Sequence, residues 1–148
     1  MCSRDCKKFG LACVAGFVVF NVLEFIQHAV LLAPVYRKPG YAAVWNPPDV
    51  MKSRQWAMFL AYLILAVAFT KVYAQGYEDD KPPVGQGVRF GLLAGLLVAP
   101  LHALLQYMVF PVSLKLALAW TAGGILNCVI LGVVTALLFR PAPHTHPA

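Results

Sequence analysis

Apolar runs recur four times along the chain, at residues 9–35, 56–74, 87–110 and 113–139, each bounded by charge, proline or glycine. About 20 apolar residues in a helix match the hydrocarbon thickness of a bilayer. The pattern therefore predicts an all-α protein, an integral membrane four-helix bundle. Residues 1–8, MCSRDCKK, are expected to be a basic cytoplasmic leader, and residues 140–148, rich in proline and histidine, a disordered tail. The loop before the second run carries Tyr41, Trp45, Pro47 and Pro48, which suits an irregular segment at headgroup level, and Trp56 marks the interface again. Residues 75–86, QGYEDDKPPVGQ, are the most polar stretch and belong outside the bilayer.

The first run is not uniformly apolar. Asn21, Glu24 and His28 recur at i, i+3 and i+7, one stripe of a helix, with Gln27 beside it. A carboxylate at membrane depth costs roughly 2.5–3.5 kcal/mol on insertion scales, so it faces protein and has a partner. The third run repeats the arrangement. His102 and Gln106 precede Pro111 as Glu24 and His28 precede Pro34, and a tryptophan follows in each half, Trp56 and Trp120. This suggests two repeated helical hairpins.

At 1.5 Å rise per residue Glu24 lies roughly 14 Å from the exit of its span and His102 about 12 Å from the exit of its own. The two spans run in the same direction, which predicts a polar layer of Glu24, His28, His102, Gln106 and Thr121, continued inward by Asn21 and Asn127. Small residues recur every fourth position at Gly87, Gly91, Gly95, Ala99 and Ala103, and again at Gly124, Cys128, Gly132 and Ala136. Two such GxxxG-like stripes on consecutive spans predict a close helix pair, because lipid supplies no hydrophobic force between helices. Docking of another subunit is the alternative use of the stripes.

Composition agrees: of 148 residues, 60% are hydrophobic and only 12% charged, outside the range of soluble domains. The net charge of +6 does not signal nucleic acid, because the basic residues flank spans and fill loops. Seven of them (Arg4, Lys7, Lys8, Lys71, Lys81, Arg89, Arg140) fall on the side of the termini and five (Arg37, Lys38, Lys52, Arg54, Lys115) on the other. The excess favours an inner membrane orientation with both termini cytoplasmic.

Cys2, Cys6, Cys13 and Cys128 form no disulfide framework and read as reduced thiols; two ligands in CxxxC do not close a zinc site. Leu11-Ala12-Cys13 superficially suits a lipoprotein box, but the apolar run follows it instead of preceding it. The first span is accordingly expected to be retained.

The polar layer admits three readings. It is a hydrogen-bonded network fixing helix register, a proton-handling site built on Glu24 and His102, or a metal or haem site using His28, His102 and Glu24. The first is preferred, so no cofactor is expected. His144 and His146, an HxH in the tail, read as uninvolved. No nucleophile elbow, HExxH or nucleotide loop is present, so no enzymatic activity is expected.

The order LEFIQHAVLLAPVY, a tryptophan-bearing loop, GYE before GVRFGLLAGLL, and an aromatic–proline exit before the Trp120 helix resembles small bacterial four-span membrane proteins of the DUF1761 group. That resemblance implies an integral inner-membrane protein and no particular activity. The expected role is a non-enzymatic subunit or scaffold of a larger membrane assembly. Its partners are the lipid bilayer and other membrane subunits or copies of itself. The alternatives are a small transporter or proton-linked channel, then a membrane haem or metal protein.

Overall fold

The computed structural model describes residues 2–41 and 43–140, with side chains from Asp5 onward. Helix α1 spans Cys2–Phe25 and continues through a π-helical turn, Ile26–Leu31. Two short helices follow, α2 (Ala33–Tyr36) and α3 (Pro48–Ser53). Three long ones complete the chain: α4 (Gln55–Gln75), α5 (Pro83–Val109) and α6 (Leu114–Leu138). Among the described residues four helices are long and apolar enough to cross a membrane, and the chain is a multi-pass helical bundle.

Two boundaries differ from expectation. α1 already begins at Cys2, so the stretch expected to be a leader is helical from residue 2. The first candidate span is Asp5–Leu31, ending before residue 35. Pro34 has no N–H to donate into the preceding turn. The ladder instead closes one residue wider, with Leu32 N–H donating to Gln27 O at 2.9 Å, and then restarts as α2. At the other loop, Ser113 caps α6 by accepting from Leu116 N–H at 3.2 Å. The expected disordered tail lies outside the described residues apart from Arg140.

α1 packs against α4 and α6, whereas α5 packs chiefly against α6. The α5–α6 seam is backbone against backbone. A Cβ at Gly87 would lie 2.5 Å from the Gly132 carbonyl oxygen, and one at Gly95 2.8 Å from Ile125 Cα. At Gly91 it would run into the Cys128 carbonyl. Two apolar clusters complete the interior. Phe20, Phe69, Cys128 and Leu131 fill the middle, and Ala12, Tyr73, Ala136 and Phe139 the end where α1 starts and α6 finishes. There Phe9 meets Phe139 edge-on at 6.1 Å, and Lys8 Nζ donates to the Arg140 carbonyl at 2.6 Å. The opposite end carries Tyr36, Trp45 and Trp120 in mutual ring contact, at 5.3 Å (Tyr36–Trp45) and 6.3 Å (Trp45–Trp120).

Candidate functional site

Glu24 sits on α1 two residues before the π-helical segment, with its side chain 18% exposed. Three elements supply its partners. From α6, Asn127 Nδ2 donates to Glu24 Oε1 at 2.8 Å and to Gln27 Oε1 at 2.9 Å. From α4, the Tyr62 hydroxyl donates to Oε2 at 3.5 Å. From its own helix, His28 Nε2 stands 3.4 Å from Oε2. The carboxylate thus joins α1 to both helices it packs against, and each oxygen has a donor to accept from.

His28 extends this network toward the aromatic end. Its Nδ1 lies 2.6 Å from the Tyr36 hydroxyl, the two rings stack at 10° and 5.9 Å, and Trp120 Nε1 donates to the same hydroxyl at 2.7 Å. Indole N–H only donates. The arrangement that gives every group a partner has Tyr36 O–H donating to Nδ1, which leaves the neutral imidazole proton on Nε2, facing Glu24. A continuous chain therefore runs Trp120, Tyr36, His28, Glu24, Asn127. The π-helical turn carries His28 within it, and such turns concentrate at functional sites.

Glu24, His28 and Asn127 come together as members of one network, but the rest of the expected layer does not join them. His102 is exposed, Gln106 is half-buried, and neither side chain has a hydrogen-bond or ion-pair partner among the described residues. The expected neighbourhood of Glu24 and His102 is corrected by the packing, because α5 lies on α6 and not on α1. Equal depth does not bring two residues together when a helix separates them. Thr121 Oγ1 donates to Ala117 O at 3.0 Å and Asn21 Nδ2 to Phe17 O at 2.8 Å, so both are satisfied within their own helices.

Gln27, Tyr62, Tyr36 and Trp120 belong to the site although periodicity alone did not select them. Their common signal is a polar tip on a large side chain, which seeks a partner wherever it is buried. Gly123 belongs as well. A Cβ there would lie 2.5 Å from Gln27 Nε2, so the missing side chain makes room for the amide.

Among the described residues no three His, Cys, Asp or Glu side chains cluster closely enough to hold a metal ion. His28 and Glu24 are adjacent but His102 is not with them, and His144 and His146 lie outside the described residues. Cys13 and Cys128 are buried thiols.

Outside the bilayer a second polar cluster orders the α4–α5 loop. Gln86 Nε2 donates to the carbonyls of Glu78 (2.8 Å) and Lys81 (2.9 Å), and its Oε1 accepts from Glu78 N–H at 2.9 Å. Glu78 pairs with Lys81 and Arg89. Hydrogen bonds from Lys81 and then Arg89 hold its carboxyl below the ordinary value of 4.5.

Comparison of the chain with family models, curated proteins and solved structures finds no match.

Proposed function

We propose that the chain is a non-enzymatic membrane subunit or scaffold that presents the outer face of α5 to a partner helix in a larger assembly. The carrying observation is the contrast between exposed His102 with unpartnered Gln106 and the saturated network around Glu24. A polar side chain facing hydrocarbon is costly and is satisfied best by a neighbouring helix. The GxxxG-like stripe of α5 supports the same reading. Its glycines are occupied by α6, which leaves the other face of α5 for something outside the chain.

The Lys and Arg distribution supports cytoplasmic termini, and the resemblance to the DUF1761 group supports a bacterial inner membrane as the setting. The test is a gentle native extraction followed by mass and a visible absorption spectrum. The expected result is a large, defined particle in which this chain is stoichiometric. A small colourless particle containing one copy would overturn the subunit reading. A Soret band lost on His28→Ala would replace it with a haem protein.

A further inference from the structure

The chain of groups from Trp120 to Glu24 has a direction and a closed end. On the Tyr36 side it leads out of the span, since Tyr36 follows the π-helical turn, is half-buried and adjoins the interfacial loop. On the other side of Glu24 the one polar side chain in the next turn of α1, Asn21, is turned back on its own helix and donates to Phe17 O at 2.8 Å, and the residues packed beyond it are apolar. Phe20, Phe69 and Leu131 are each less than a tenth exposed and pack together with Cys128. The next buried hydroxyl on α6 in that direction is Thr135, eight residues beyond Asn127. That separation is about 12 Å of helix rise, too far for one hydrogen-bond step. Asn127 and Gln27, which close the network inward, are amides and hold a proton poorly in either direction.

We propose that Glu24 and His28 form a one-sided proton-binding site, loaded through Tyr36 from the membrane face that carries the Trp45 loop and sealed toward the opposite face. The ligand is a proton, and the balance is simple. A proton arriving from water binds the Tyr36 oxygen as the Tyr36 O–H proton passes to His28 Nδ1. The Nε2 proton then passes to Glu24 Oε2. Tyr36 ends as a neutral phenol and His28 as the other neutral tautomer, while Glu24 has become a carboxylic acid. One proton has entered and one negative charge has been neutralised.

The titratable groups around Glu24 are His28 from the π-helical turn, Tyr36 from α2, Tyr62 from α4 and Cys128 from α6; no titratable group of α5 bears on it. Protonated Glu24 no longer needs both Asn127 and Tyr62 as donors. Loading the site therefore loosens α1 from α6, which couples proton occupancy to helix packing. A dead-end site of this kind reports acidity on one face without conducting protons. This inference stands apart from the subunit reading, since every group it uses belongs to one chain.

The test uses the purified full chain reconstituted with one orientation in vesicles, and infrared difference spectra recorded while the pH is stepped on one face at a time. The expected signature is a protonated-carboxyl stretch that grows when the Trp45-loop face is acidified. It should be unchanged when only the other face is acidified and lost in Glu24→Gln. Tyr36→Phe keeps the stacked ring but removes the relay oxygen, so its band should grow more slowly at the same step. A band that follows the pH of both faces, or no Glu24-dependent band across the pH range in which the protein stays folded, would overturn the proposal. So would sustained proton flux that Glu24→Gln abolishes.

Discussion

Two pairs of polar residues occupy corresponding places in the two halves of the chain, and their fates differ. Glu24 and His28 stand one helical turn apart on α1, as His102 and Gln106 do on α5, and each pair precedes a proline. The first pair lies where α1 meets both α4 and α6, and Tyr62 and Asn127 reach it from those helices. The second pair lies on a helix that has one main neighbour, and none of that neighbour's polar groups reaches it. A polar residue in a span is a demand for a partner. Whether the chain meets that demand internally depends on how many helices surround it. One pair clamps the bundle; the other is left for contacts beyond it.

The comparison breaks most completely if the α5–α6 seam is opened. Gly91→Leu places a side chain into the Cys128 backbone, which cannot give way as a flexible side-chain tip could. Overpacking of this kind costs about 3 kcal/mol. Equilibrium unfolding in micelles should show that loss, together with a change in the environment of the nearby Phe90 ring. A near-neutral result would mean that the seam is not backbone-tight.

Next in size is Asn127→Leu. It removes the donor shared by Glu24 and Gln27 and leaves two buried acceptors short, a cost of about 2 kcal/mol. The same unfolding assay should place Asn127→Leu well below His102→Leu. Equal losses would erase the distinction between the two pairs.

His102→Leu sharpens the contrast from the other side. The isolated chain should keep its stability within about 0.5 kcal/mol, as for a surface position without partners. The mass of the natively extracted particle should nevertheless fall. Unchanged mass would show that this face binds nothing through His102.

The smallest effect concerns the other paired glutamate, Glu78, which lies outside the bilayer. Its carboxyl is held below 4.5 in the fold, so it contributes stability that is present above that pH and is lost as the pH falls through the lower folded value. Its partners are exposed to water and salt, and screening keeps the contribution small. Thermal unfolding followed from neutral to acid pH should show this slope shrink in Arg89→Gln and at high salt. A slope untouched by either change would assign it to another group.

Much of this was legible before any coordinates. Runs of apolar residues ended by Pro34, Pro111 and the 75–86 stretch mark the spans, because hydrocarbon tolerates backbone only as a helix of sufficient length. The fourfold glycine period on residues 87–95 marks a face that must meet another backbone, and the i, i+4 spacing of Glu24 and His28 marks them as neighbours. Helical rise also placed Asn127 near the middle, with Asn21 and inward of Glu24. The site beyond these residues was harder to see. Tyr36 lies just past the end of the first apolar run, and Tyr62 is one of four polar-tipped side chains in the second, with Thr70, Lys71 and Tyr73. Gly123 carries no side chain to announce that Gln27 needs its space.

The properties readable from the residues alone are therefore axial: which segments cross, how long they are, and at what depth each polar group lies. Those properties follow from one helix and its solvent, and 1.5 Å per residue suffices to compute them. The lateral arrangement emerges only on packing: α6 stands between α1 and α5, Asn127 turns to Glu24, and His102 faces away. No solvent-driven force orders helices around one another in lipid. Their neighbours are chosen by close backbone fit and by a few hydrogen bonds, and those exist only once all the helices are in place.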